Sequence, residues 1–314
     1  MKELFLSIIG KGAKDNTYKF ALAKFLLDYS HKEALDGDKV ISYSEIAEKF
    51  LEYYWYQECK YKLKQDFKIE RMPVVIRIIR AACGTDYIPD SYDKYFKKRK
   101  DLKVAMILDI EKKCLNDVVP RFQPRENYLF YQHFHTLNAS GRKFRQPPED
   151  KRYIVLQDKT HQFLKENYHE LIKILIFEWA KFLEKTNFTP RLISKIENLG
   201  HHKRRSLDKF RKILLEQMGP VCFYCDATVL LGDIHVDHFI PWSYVYDDAL
   251  WNLVISCNDC NLKKSDRLAP EACISKIDSR NIKFGFNEYK KDVGEYYDNC
   301  KKAGFFQDSS LECI

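Results

Sequence analysis

Apolar positions recur at three- and four-residue spacing over most of the first 200 residues, which predicts helices. Tyr18, Leu22, Phe25 and Tyr29 mark one such face. Ser42 stands three residues before Glu45, the spacing at which a hydroxyl and a carboxylate cap a helix start reciprocally. Ile46, Phe50 and Tyr53 then continue an apolar face, and a polar turn around Asp36, Gly37 and Asp38 separates the two helices. Two helices, a turn and another basic segment fit a helix-turn-helix or winged-helix arrangement, and equally an ordinary helical bundle, which is the preferred reading. A further helix is expected near Leu102 to Leu115. It follows Lys97, Lys98, Arg99 and Lys100, which form either a solvated helix end or a phosphate contact.

The pattern changes between residues 128 and 156. Tyr128, Phe130 and His133 lie amid dense aromatics, Tyr153 to Leu156 is a short β-like run, and Asn138 to Pro148 between them is polar. This predicts two strands joined by a long basic loop carrying Arg142, Lys143 and Arg145. One long helix is expected from about His161 to Lys185, with Leu171, Ile174, Leu175, Trp179, Phe182 and Leu183 as its apolar stripe. A short helix, Arg191 to Asn198, ends at Gly200. Next comes the densest cationic patch, His201, His202, Lys203, Arg204 and Arg205. Ser206 is then expected to cap a helix running through Leu207, Phe210 and Leu214 to Gly219 and Pro220. A boundary near His201 divides the chain into a mainly helical accessory or recognition domain, 1–200, with a β-hairpin near 128–156, and a second domain, 201–314. The tail of the second domain adds two helices, one marked by Tyr289, Val293, Tyr296 and Tyr297, with Gly304, Phe305 and Phe306 packing the end onto it. The expected fold class is therefore mainly α with a small α+β part.

Composition narrows the class. A hydrophobic share of 45% in 314 residues excludes a wholly disordered chain. The richest apolar run, Leu171 to Phe177, contains Lys173 and is followed by Glu178, so no membrane span is expected. Met1 to Gly10 is too short an apolar stretch for a secretory signal, and a cytoplasmic location is the expectation. A net charge of +8 suits a partner bearing phosphates, although many inert proteins share it. Ten cysteines in such a chain are expected to stay reduced. Six are scattered singly and read as buried small hydrophobes or surface thiols, while four form two tight pairs, Cys222/Cys225 and Cys257/Cys260.

The pairs carry the chemistry. Four thiolates from two Cys-x-x-Cys knuckles close a tetrahedral zinc site with no open position, which is a structural site. A redox dithiol needs only one pair, usually in a βαβ setting that is missing from this sequence. Between the knuckles stand His235-Val-Asp237-His238-Phe-Ile-Pro241-Trp242 and Trp251-Asn252-Leu253, and Asn261 directly follows the last cysteine. Over residues 220–268 this segment resembles the HNH nucleases of the ββα-metal class. The matching features are the Asp-His pair before an apolar-apolar-Pro step, the Asn-Leu before the second knuckle, and Cys-x-x-Cys-Asn-x-x-Lys leading to Ser265, Asp266 and Arg267. Asn261 stands where the family's last histidine is, a frequent variant.

The resemblance implies a metal-dependent endonuclease that leaves a 3′ hydroxyl and a 5′ phosphate. His238 would be the general base, since a neutral imidazole can take a water proton near neutral pH. Asp237 and Asn261 would hold one divalent cation, Mg²⁺ or Mn²⁺, and Asn252 would pin the loop that orients the base. Asp237 and His238 are adjacent, so a regular strand would point them to opposite sides, and the resemblance implies a distorted strand end. His235 reads as a phosphate contact or a packed histidine. Lys263, Lys264, Arg267, Arg204 and Arg205 suit nucleic-acid binding, although a solvated helix face looks similar. DNA is the expected substrate. A homodimer or a partner protein of a restriction or anti-phage defence system is expected by analogy, because one such site cuts one strand at a time. The alternatives are an HNH ribonuclease and a non-catalytic zinc-dependent nucleic-acid-binding module.

Overall fold

A computed structural model describes residues 1–12, 16–65, 72–84, 91–124, 129–197, 206–286, 291–307 and 311. The chain divides into two compact units, residues 1–187 with 193–200, and residues 188–192 with 201–314.

The first unit contains α1 (Lys2–Gly10), α2 (Tyr18–Lys32), β1 (Lys39–Ser42), α3 (Tyr43–Trp55), α4 (Val74–Cys83), α5 (Tyr92–Lys97) and α6 (Lys100–Arg121). It continues with β2 (Tyr131–Gln132), β3 (Thr136–Leu137), β4 (Phe144–Arg145), β5 (Tyr153–Leu156), α7 (Asp158–Glu166), α8 (Tyr168–Glu184) and, after its first residue, α9 (Leu192–Glu197). Helix α3 starts as its sequence requires: Ser42 Oγ accepts from the Glu45 backbone N–H, and the Glu45 carboxylate accepts from Ser42 N–H. The core is built from the helices' apolar stripes. Phe20, Leu22 and Leu26 of α2, Ile46 and Phe50 of α3, Ile110 and Leu115 of α6, and Leu171, Leu175 and Trp179 of α8 are all buried. Phe20 stacks on Trp179 with centroids 5.8 Å apart.

Three expectations for this unit are corrected. The 128–156 region does pair β2 with β5, but β5 also pairs antiparallel with β1 along Lys39↔Leu156 to Ser42↔Tyr153, giving a three-stranded sheet of order β1-β5-β2. A strand therefore follows the Asp36–Asp38 turn, and the unit is not a plain bundle. A separate hairpin of β3 and β4 occupies the basic loop and takes Arg145 into a strand, leaving Arg142 and Lys143 exposed in the turn. The long helix is two, α7 and α8. Asn167 breaks it at φ −99, ψ 11, and its side-chain Nδ2 donates to Phe163 O. Tyr128 and the 201–205 patch lie outside the described residues.

The second unit contains α10 (Asp208–Met218), β6 (His235–His238), α11 (Trp242–Val245), β7 (Leu253–Ser256), α12 (Asn258–Lys264), α13 (Ile274–Phe284) and α14 (Val293–Lys302). Leu207, not Ser206, is the N-cap of α10. Ser206 Oγ accepts instead from Asp208 N–H, and Gly219 ends the helix at φ 73, a conformation that favours glycine. Leu214, Phe239, Leu253, Ile255, Ile277, Tyr297 and Phe305 belong to one buried cluster. Tyr289 lies outside the described residues. Cys273 is disulfide-bonded, which corrects the expectation of reduced thiols throughout. No described helix is long and apolar enough to cross a membrane.

Candidate active site and metal centre

Strands β6 and β7 pair antiparallel from His235↔Ser256 to His238↔Leu253, and α12 follows β7 directly. The first knuckle is tied to this hairpin by Phe223 N–H donating to Ile255 O at 2.8 Å, and the second forms the start of α12. The four cysteine sulfurs consequently lie within 4.8 Å of one another, with Cys225 and Cys257 at 3.9 Å. A zinc ion bonded to four sulfurs sets them about 3.8 Å apart, so the four thiols fit that ion. Burial opposes ionisation of Cys222, yet backbone N–H groups of Cys225, Cys257 and Tyr224 outweigh it and bring the thiol below its ordinary value. Burial raises Cys260, and the neighbouring sulfurs raise it further.

Asp237 is buried on β6 with a specific shell. The Tyr224 hydroxyl donates to its Oδ2 at 2.6 Å, and Lys264 Nζ lies 3.2 Å from the same oxygen. Burial, followed by the nearby Asp237 carboxylate, raises the Tyr224 phenol well above its usual value and keeps it a donor. Lys264 is 0% exposed, which corrects its reading as a surface phosphate contact. Its ammonium is directed to Asp237 because a buried charge needs a counter-charge.

His238 ends the same strand in antiparallel register with Leu253, and Phe239 N–H continues the pairing by donating to Asn252 O at 2.8 Å. Strand alternation therefore sends the neighbouring side chains to different partners. His238 Nε2 lies 2.9 Å from Asp248 Oδ1, and the imidazole side chain is 9% exposed. Asn252 is fully buried: its Oδ1 accepts from Ile240 N–H at 2.8 Å and its Nδ2 donates to Ile240 O at 2.9 Å. The turn that carries Asn252 is held from behind by α13. Arg280 Nη1 donates to Leu253 O at 2.6 Å, and Asn281 Nδ2 donates to Trp251 O at 2.9 Å. Burial lowers the Arg280 guanidinium to about 10.

Residues 222–270 match the family model for HNH endonucleases. Neither a curated protein nor a solved structure matches the chain. The HNH match covers both knuckles and everything between them; it supports a nuclease-type hydrolase in general and implies a nucleic-acid substrate. HNH nucleases use divalent metals, and the four clustered cysteines could hold one of their own.

Within the HNH segment, the structure joins Asp237 to Tyr224 and Lys264, His238 to Asp248, and Asn252 to Ile240. It does not join Asp237 to His238 through any common partner among the described residues. Asn261 is half-buried on α12, one residue past Cys260. Lys263 is exposed at the end of α12, and Arg267 is half-buried beyond it. Arg204 and Arg205 lie outside the described residues. Sequence reasoning missed Tyr224, Asp248, Arg280 and Asn281. Tyr224 stands inside the first knuckle, where it reads as a spacer. Arg280 and Asn281 sit among Lys276, Asp278 and Lys283, where a helix reads as solvated. The Asp247-Asp248 pair reads as a turn.

Proposed function

We propose that the protein is a metal-dependent HNH endonuclease acting on DNA, with residues 1–200 as an accessory recognition domain and 201–314 as the nuclease domain. The observation that supports it best is the β6–β7–α12 hairpin and helix. This places Asp237 and His238 on one strand, Asn252 as a double hydrogen-bonded pin on the residues after it, and Asn261 on the helix. Zinc on Cys222, Cys225, Cys257 and Cys260 staples the scaffold.

Asp237 and Asn261 offer hard oxygen donors, which suits Mg²⁺ or Mn²⁺, because such ions take few protein oxygens and complete their shell with water and phosphate. When bound, that ion supplies charge relief at the phosphate and support for the leaving 3′ oxygen. The Tyr224 hydroxyl bonds Oδ2 of Asp237 and so restrains the carboxylate's rotation, while the Lys264 ammonium beside the same oxygen supplies a counter-charge. His238 takes the proton of the attacking water. Asn252 locks Ile240 and thereby the chain just after the base. Lys263 and Arg267 meet backbone phosphates. One site cuts one strand, so a double-strand break requires a dimer or successive nicks. A large accessory domain on a small nuclease suits a cytoplasmic restriction or anti-phage defence enzyme.

Plasmid DNA incubated with the full chain and Mg²⁺ or Mn²⁺ is expected to be nicked or linearised. His238→Ala should lower the rate by about 10²–10⁴-fold. Asp237→Asn should weaken divalent-ion binding in a titration while zinc content stays constant. Cleavage confined to RNA would make the protein an HNH ribonuclease. Binding to DNA and RNA without cleavage of either would leave a zinc-dependent binding module.

A further inference from the structure

We infer that Asp248 is a positioning residue for His238: it fixes the ring proton on Nε2 and reserves Nδ1 for the attacking water. The inference rests on the nuclease reading above. His238 Nε2 and Asp248 Oδ1 are 2.9 Å apart, a direct hydrogen bond. An ionised carboxylate only accepts, so the shared proton belongs to Nε2. In a neutral imidazole the other nitrogen then carries the lone pair. Among the described residues Nδ1 has no hydrogen-bond partner, and it is not one of the buried polar atoms sealed from solvent, as both ring nitrogens of His161 are. The nitrogen left for chemistry is thus the one that water can reach.

The loop that carries Asp248 is braced for this task. Asp248 N–H donates to Asp247 Oδ1 at 3.0 Å, and Arg191 Nη2 meets Asp247 Oδ2 at 2.8 Å. On the far side, Asn252 N–H donates to Ala249 O at 3.0 Å. Asp248 is therefore held on one side by a guanidinium relay and on the other by the Asn252 turn, which also fixes the backbone after His238.

The step balances as follows. The water O–H bond breaks and its proton goes to Nδ1, while the water oxygen forms the new P–O bond. The P–O3′ bond breaks with its electron pair on the 3′ oxygen, which takes a proton from solvent. The imidazolium keeps Nε2–H on Asp248, whose negative charge offsets the new positive charge, and then returns the Nδ1 proton to water.

The test uses the zinc-loaded full chain and reads both ¹⁵N resonances of the His238 ring, assigned by their loss in His238→Ala. The expected tautomer carries its proton on Nε2. Asp248→Asn, whose amide can turn an N–H toward Nε2, should shift the ring toward the Nδ1–H tautomer. It should also lower kcat by about 10- to 100-fold with KM unchanged. Asp248→Glu should restore the Nε2–H tautomer and part of kcat. Should Asp248→Asn unfold, Arg191→Ala loosens the same carboxylate without touching it and should move tautomer and kcat the same way to a smaller extent. A wild-type tautomer and wild-type kcat in Asp248→Asn, with His238→Ala inactive, would overturn the role of Asp248 and leave the nuclease reading standing. Full cleavage by His238→Ala would overturn the nuclease reading itself, whatever the tautomer.

Discussion

In the first unit Phe20 lies on Trp179; Leu22, Leu26, Phe50 and Leu175 are buried too, and buried polar side chains such as Thr17, Gln57, Gln65 and Glu111 are far outnumbered by apolar ones. In the second unit the buried positions include Asp237, His238, Asn252, Lys264, Arg280 and Asn281 alongside the four-sulfur cluster. The first unit spreads its stability over many hydrocarbon contacts, no single one decisive. The second concentrates it in a few polar links, several of which also aim the residues of the candidate site. A scaffold of that kind is more exposed to single changes, and its stability and its activity are coupled through the same atoms.

The largest test of this contrast is the proposed staple. Zinc chelation is expected to remove a contribution of about 10–16 kcal/mol by the standard of small zinc domains, and Cys257→Ser part of it. Hydrogen exchange should then show lost protection across residues 206–307 and retained protection across 16–65. Simultaneous loss in both regions would break the contrast, because it would make the first unit depend on the staple as well.

A smaller effect comes from one polar pin. Asn252→Ala leaves the N–H and C=O of buried Ile240 without their side-chain partners. The expected cost is about 3 kcal/mol in thermal or urea unfolding of the second unit, with zinc content unchanged. Asn252→Asp keeps the acceptor for Ile240 N–H but sets a buried carboxylate oxygen against Ile240 O, so it should cost at least as much at neutral pH.

The smallest effect sharpens the contrast from the other side, where a polar group sits inside the hydrocarbon unit. Burial, and then neighbouring His133, pushes His135 down to about 3 from an ordinary 6.5. The folded state thus holds this ring neutral where an unfolded chain would protonate it. Its stabilising contribution is complete above pH 6.5 and is lost progressively as pH falls toward 3. His135→Gln should therefore flatten the acid limb of the first unit's stability curve, by on the order of 2 kcal/mol at pH 4 relative to pH 7. Circular dichroism melts at the two pH values measure it, and an unchanged difference between them would show that His135 is protonated in the fold.

What was legible in the sequence was local or fixed by spacing. The Ser42–Glu45 cap needs only four residues, and the paired knuckles need only their cysteines. What was not legible depends on distant partners. Strand β1 is four residues long and gains its meaning from β5, more than a hundred positions away. The division at Asn167 leaves the apolar stripe of α8 intact, so periodicity alone runs through it. Lys264 shares a charge pattern with exposed Lys263, and only the approach of β6 to α12 separates them. Among the candidate site residues, the strand and knuckle positions followed from motif order, while the groups that hold them came from a knuckle spacer, a turn and a helix that carry no motif.

The chain also crosses between its units more than once. Phe188–Leu192 belongs with the second unit although residues on both sides belong to the first. In that short passage Phe188 O accepts from the Tyr244 hydroxyl and Arg191 meets Asp247. A fragment cut at residue 201 would keep the four-cysteine hairpin but forfeit this clasp, so the natural place to sever the molecule lies upstream of where its composition changes.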